Sequence, residues 1–150
     1  MNQQMAGLAG RPDSENTMSR ILVIDDQLQV RAAISVALKA NNFDVVTVKN
    51  GRLALSELAV SRFDVVIVDI YMPEMDGLEL ISAMRAQRPD LPIIAISGAL
   101  LRESGQSALE IAPADVVRLR KPFRPFELMK AIQLAMTPAA SQTPASSAIL

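Results

Sequence analysis

The stretch VVIVDIYMPEMDG, Val65 to Gly77, opens as a run of β-branched apolar residues and closes as a loop, with one carboxylate, Asp69, at the join. A short apolar run of this kind reads as a buried strand, and Asp76-Gly77 as the start of the helix that follows. Strands must end, and polar residues end them, so Asp69 by itself implies nothing more. The flanking chain decides whether it does.

Strand and helix signals alternate on both sides of this stretch. Upstream, Arg20 to Ile24 is a short apolar run closed by Asp25-Asp26. Leu28 to Ala40 carries helical spacing at Val30, Ile34, Ala37 and Leu38, with Asn41-Asn42 as its stop. Phe43 to Val48 reads as a strand, Gly51 to Val60 as a short helix and Phe63 to Val68 as the most apolar strand. Downstream, the helix opened by Asp76-Gly77 runs to about Gln87 on a stripe of Leu80, Ile81 and Met84, and Pro89 ends it. Leu91 to Ile96 is the next strand. A weaker helix is expected between Leu100 and Ile111, then a strand over Val116 to Leu119 and a last helix over Pro125 to Met136.

Five strands alternating with five helices predict an α/β fold with a parallel sheet. The strands are nearly continuous in apolar residues, as expected where helices cover both faces. Right-handed crossovers leave few topologies, and the doubly wound, flavodoxin-like order 2-1-3-4-5 is the expected one. Residues 1–19 are polar and aperiodic and read as a flexible extension; 20–136 form the domain; 137–150, rich in Ala, Ser, Thr and Pro, read as a flexible tail. Met18 directly precedes the first strand and is a candidate translation start.

Composition narrows the chemistry. Apolar residues make up 50% and charged residues 21%, so a packed core is expected, while an aromatic share of 3% makes that core aliphatic. There is no cysteine and no histidine, which removes disulfides, thiolate metal sites, most zinc sites and histidine-based triads. A formal net charge of −1 gives no general attraction to nucleic acid or to anionic membranes. No apolar segment approaches the ~18 residues of a membrane span, so a cytoplasmic protein is expected.

In a sheet of the expected order, ligands bind where the carboxyl ends of the strands meet the switch point. The residues at those ends are Asp25-Asp26, Asp69, Ser97 and Lys121. Strands 1 and 3 are neighbours, so Asp25, Asp26 and Asp69 converge. Three carboxylates in a small space repel one another unless a cation joins them, and with oxygen ligands alone magnesium is the natural ion. A carboxylate so placed can also act as a nucleophile, as in aspartyl-phosphate formation. Magnesium and the Lys121 ammonium would then neutralise phosphoryl oxygens, and the Ser97 hydroxyl would bond one of them. A cis bond at Lys121-Pro122 would turn the chain and fix the lysine's approach. Each residue has an ordinary structural explanation alone; their order along strands 1, 3, 4 and 5 is what one site requires.

These residues resemble the receiver domain of two-component response regulators, over about Ser19 to Met136. The resemblance rests on ILVIDDQ with the acidic pair, VDIYMPEMDG around Asp69, IIAISG with the hydroxyl and RKPF with the lysine. It implies that Asp69 takes a phosphoryl group from the phosphohistidine of a sensor histidine kinase or phosphotransfer protein. It further implies that Asp26 binds magnesium directly, that Asp25 helps through water and that the Tyr71 carbonyl is a further ligand. Output would pass through the face formed by the fourth expected helix, the fifth strand and the last helix. The family usually carries a Tyr or Phe three residues before the lysine, where this chain has Arg118. That side chain is expected either to lie outward and solvated or to join a partner surface by pairing with an acidic group.

The residues after Met136 are too few for an output domain, so a stand-alone phosphoacceptor switch, signalling by protein contacts or by a phosphorelay, is the expectation. The alternative is a pseudo-receiver, an interaction module that is not phosphorylated. A phosphatase acting on other substrates is disfavoured, because such enzymes usually place an acid two residues after the nucleophile and this chain has Tyr71 there.

Overall fold

The computed structural model describes residues 18–98 and 112–137. Five parallel strands form one sheet: β1 (Arg20–Ile24), β2 (Asp44–Val48), β3 (Val65–Asp69), β4 (Ile93–Ser97) and β5 (Val117–Arg120), in the order β2-β1-β3-β4-β5. Every pairing is parallel, with Ile21 opposite both Val45 and Val65, Val66 opposite Ile93 and Ile94 opposite Val117. Among the described residues the helices are α1 (Leu28–Ala40), α2 (Gly51–Val60), α3 (Gly77–Gln87) and α4 (Pro125–Met136). The helix expected over Leu100–Ile111 lies outside the described residues, as do the expected N-terminal extension to residue 17 and the tail from residue 138.

Successive side chains of a strand point to opposite faces, and the core divides accordingly. Ile21, Val23, Val65, Ile67, Ile94 and Ile96 pack with Ile34 and Leu38 of α1 and Leu128, Ala131 and Ile132 of α4. Leu22, Ile24, Val66, Val68, Ile93 and Ala95 meet Ala54 and Leu58 of α2 and Leu80, Ile81 and Met84 of α3 on the other side. Each fully buried aliphatic side chain contributes about 1.5–3 kcal/mol. This two-faced burial holds the strand ends, and so the polar residues there, in fixed positions.

The helices start where the sequence offers oxygen or proline. The Asn50 side chain accepts the Leu53 N–H at 2.9 Å and the Asp76 carboxylate the Leu78 N–H at 2.9 Å. Pro125 occupies the first turn of α4, and the Glu127 carboxylate accepts the Arg124 N–H at 2.8 Å. α3 stops at Gln87 because Arg88, which precedes Pro89, is driven out of helical geometry.

Four strand boundaries differ from the expected ones by one or two residues. β2 starts one residue later than expected, while β3, β4 and β5 are displaced toward their carboxyl ends. Asp69 and Ser97 therefore belong to the ladder. The Ile70 N–H donates to the Ile96 carbonyl at 3.0 Å and the Lys121 N–H to the Ser97 carbonyl at 2.8 Å, which extends pairing past the apolar run. Phe63 is buried but stands before the ladder, where the Asp64 carboxylate accepts the Arg20 N–H at 2.7 Å.

Candidate functional site

The carboxyl edge of β1 and β3 carries the acidic residues. One carboxylate oxygen from each of Asp25, Asp26 and Asp69 lies within 4.8 Å of the others. Asp25 and Asp69 are buried, at 0% and 4% exposure, whereas Asp26 is exposed. The register explains the pairing: Ile24 stands opposite Val68, so the residues that follow each of them are adjacent.

Asp25 is held from three directions. Its Oδ1 accepts the Gln27 N–H at 2.9 Å, its backbone carbonyl accepts Arg31 Nη1 at 2.8 Å, and its Oδ2 accepts Lys121 Nζ at 3.1 Å. Arg31 was not among the residues singled out from sequence. The available signal is a basic residue in the first turns of the helix after an acidic pair. Asp69 Oδ1 accepts the Tyr71 N–H at 2.9 Å, and Asp69 Oδ2 accepts Lys121 Nζ at 3.2 Å. The Tyr71 backbone thus folds back over the Asp69 carboxylate. Lys121, brought in after β5, bridges Asp25 and Asp69, and the Lys121–Pro122 peptide bond is cis.

Burial pushes the Asp69 carboxyl up from 3.8 to about 6, the Asp25 charge adding to the effect while the Tyr71 N–H and Lys121 oppose it. Burial alone would lower the Lys121 ammonium, but the Asp69 and Asp25 carboxylates outweigh it and hold Lys121 above its ordinary value. The Lys121 ammonium thus meets two of the three carboxylates, Asp25 and Asp69. This oxygen-only donor set, with excess negative charge, suits a hard divalent cation such as magnesium.

Ser97 closes the site on the β4 side. It is fully buried, and its Oγ finds no hydrogen-bond partner among the described residues. A buried hydroxyl without a partner is uncommon, and it suits a site whose acceptor arrives from outside. All four sequence-predicted groups therefore meet at one edge: the acidic pair, Asp69, Ser97 and Lys121.

Arg118 fits neither form of its expectation fully. It stands opposite Ala95 on β5 and is exposed, so it does not bury as a ring would. Its guanidinium nonetheless bonds backbone carbonyls of the segment entering β5: Ala112 at 2.5 Å, Val116 at 3.1 Å and Pro113 at 3.2 Å. Five donors in a planar fork suit such a cluster of carbonyls.

Comparison with known proteins agrees with this edge. The family profile described as the response regulator receiver domain matches residues 21–133. The regulatory protein AtoC of Escherichia coli is 36% identical over 119 residues, covering 79% of this chain and 25% of AtoC. Across the curated relatives matched, the chain spans between 22% and 57% of their length. The chemotaxis response regulator CheY4 of Vibrio cholerae superposes with a TM-score of 0.68 at 32% identity, covering 79% of this chain and 99% of CheY4. TrrA of Thermotoga maritima, solved in complex with Mg2+-BeF, gives 0.66 at 29% identity over 79% of this chain and 99% of TrrA. No helix among the described residues is long and apolar enough to cross a membrane. With a profile match over most of its length, the order β2-β1-β3-β4-β5 and an acidic cluster at the carboxyl edge of β1 and β3, the chain belongs to the response regulator receiver domains of two-component systems.

Proposed function

We propose that Asp69 accepts a phosphoryl group from the phosphohistidine of a sensor histidine kinase or phosphotransfer protein. An Asp69 oxygen forms the bond to phosphorus while the phosphorus–nitrogen bond breaks, and its electron pair leaves with the imidazole. Lys121, already within hydrogen-bond distance of Asp69, balances the charge of the incoming oxygens, and the Ser97 hydroxyl donates to one of them. Asp25, Asp26, Asp69 and the Tyr71 carbonyl would hold magnesium, which when bound supplies further neutralisation of that charge. The observation that carries the reading is the buried Ser97 hydroxyl, without a partner among the described residues, at the same edge as three carboxylates and a lysine. Asp69 is both the acceptor and a residue of the site, so the chain catalyses only its own phosphorylation and dephosphorylation. It works in the cytoplasm, and output passes through contacts with another protein at the face that includes β5 and α4, or by a further phosphoryl transfer.

A second reading has one observation in its favour. Arg118 is tied to the Ala112, Pro113 and Val116 carbonyls, which suits an interaction module whose β5 does not rearrange and which is not phosphorylated. Incubation with acetyl phosphate or phosphoramidate and magnesium separates the two. The phosphoacceptor reading expects an acid-stable, base-labile label that disappears in Asp69→Asn; absence of label in the wild type favours the module.

A further inference from the structure

Asp25 is fastened at every polar atom. Its N–H donates to the Val48 carbonyl at 3.2 Å, its Oδ1 accepts the Gln27 N–H, its Oδ2 accepts Lys121 Nζ, and its carbonyl accepts Arg31 Nη1 at 2.8 Å. Asp26, the next residue, is exposed. One of its carboxylate oxygens lies within 4.8 Å of those of Asp25 and Asp69, yet that carboxylate accepts no hydrogen bond from another described residue. The direction of the Asp26 side chain is therefore set by its own backbone. The Asp25 carbonyl and the Asp26 nitrogen belong to one planar peptide, so a donor that pins the carbonyl also fixes where Asp26 leaves the turn. Arg31 supplies that donor against local preference. It stands in the opening turns of α1, where a cation meets the positive end of the helix dipole, and no acidic residue of the first turn offsets it. Its side chain runs back past the uncapped start of the helix, as the tilt of helical side chains allows, and ties α1 to the strand end that carries two carboxylates.

We propose that Arg31 is a positioning residue for the magnesium site: by holding the Asp25 carbonyl it orients the peptide from which Asp26 projects toward Asp69. This role rests on Asp25, Asp26 and Asp69 holding magnesium, as in the function proposed above. Arg31 acts through Asp26, and its two effects on cation affinity have opposite sign. Its positive charge repels a divalent cation and weakens binding. Its hold on the turn strengthens binding, because Asp26 then loses less freedom when the ion arrives. The sign of the change on removing Arg31 therefore separates positioning from charge.

Magnesium is titrated into the full chain as wild type, Arg31→Met and Arg31→Lys, with binding followed by Tyr71 fluorescence and folding by circular dichroism melts in chelator. Arg31→Met is expected to weaken magnesium binding about tenfold, the lower end for a residue that orients a metal ligand, because removal of the charge works the other way. Arg31→Lys keeps the charge but replaces the planar fork with one flexible ammonium, and is expected to bind about threefold more weakly than the wild type. Affinity unchanged or tightened in Arg31→Met overturns the proposal, whatever the melts show, since Arg31 is then only a fastening of α1 or a local charge. Should Arg31→Met not melt cooperatively, Arg31→Lys decides, and wild-type affinity there overturns the proposal. Either result leaves the Asp69 chemistry standing. A wild type that binds no magnesium overturns the metal site itself, and this role with it.

Discussion

Asp69 sits in the tension that defines the site. Burial disfavours its charge, yet the Tyr71 N–H and Lys121 are placed to meet that charge. Its carboxyl, raised from 3.8 to about 6, binds a proton more tightly folded than unfolded. The associated stability is present at low pH and is lost as pH rises through the interval between those values. At neutral pH without magnesium the ionised group is a net cost to the fold. Asp69→Asn should therefore raise stability at pH 7 in chelator by about 1–2 kcal/mol after allowance for screening, and flatten the pH dependence below 6. Chemical denaturation across pH checks this, and a destabilised variant would contradict it. Protons also compete with any cation for Asp69, so magnesium affinity should weaken as pH falls below about 6. Titration followed by the fluorescence of Tyr71, the one tyrosine, reads it; affinity that holds constant to pH 5 would count against Asp69 as a ligand.

At the scale of elements, the site depends on how strands hand over to helices. The loop from Asp69 to α3 passes so close to the start of that helix that a Cβ at Gly77 would collide with Ile70 and the Asp69 carbonyl. Gly77→Ala should cost about 2 kcal/mol or more and slow labelling of Asp69, because the loop that positions Tyr71 must move. A variant with unchanged melting and labelling would show that the loop yields freely. Strand identity and order were legible because apolar runs of the right length alternate with helical stripes. Strand ends were less so. Whether Asp69 and Ser97 join the ladder depends on the Ile96 carbonyl and the Lys121 N–H in neighbouring segments, which a single run of sequence does not contain. Arg118 illustrates the same limit: its position next to the site could be read, but its carbonyl partners Ala112 and Pro113 depend on how the chain turns into β5.

For the whole molecule, five strand ends bring residues separated by nearly a hundred positions to one edge, as Asp25 and Lys121 show. The residue types there were legible from the order of elements alone. Arg31 was not, since its contact follows from side-chain reach across a turn and carries no spacing signature. A sheet covered on both faces holds that edge in place. The most direct measurement is the location of the phosphoryl group. The full chain is treated with acetyl phosphate, with magnesium or with chelator, and the modified residue is mapped by borohydride reduction and peptide mass spectrometry. One phosphoryl group on Asp69, formed with magnesium and absent with chelator, is the expected result; no modification, or modification at another residue, would contradict the account.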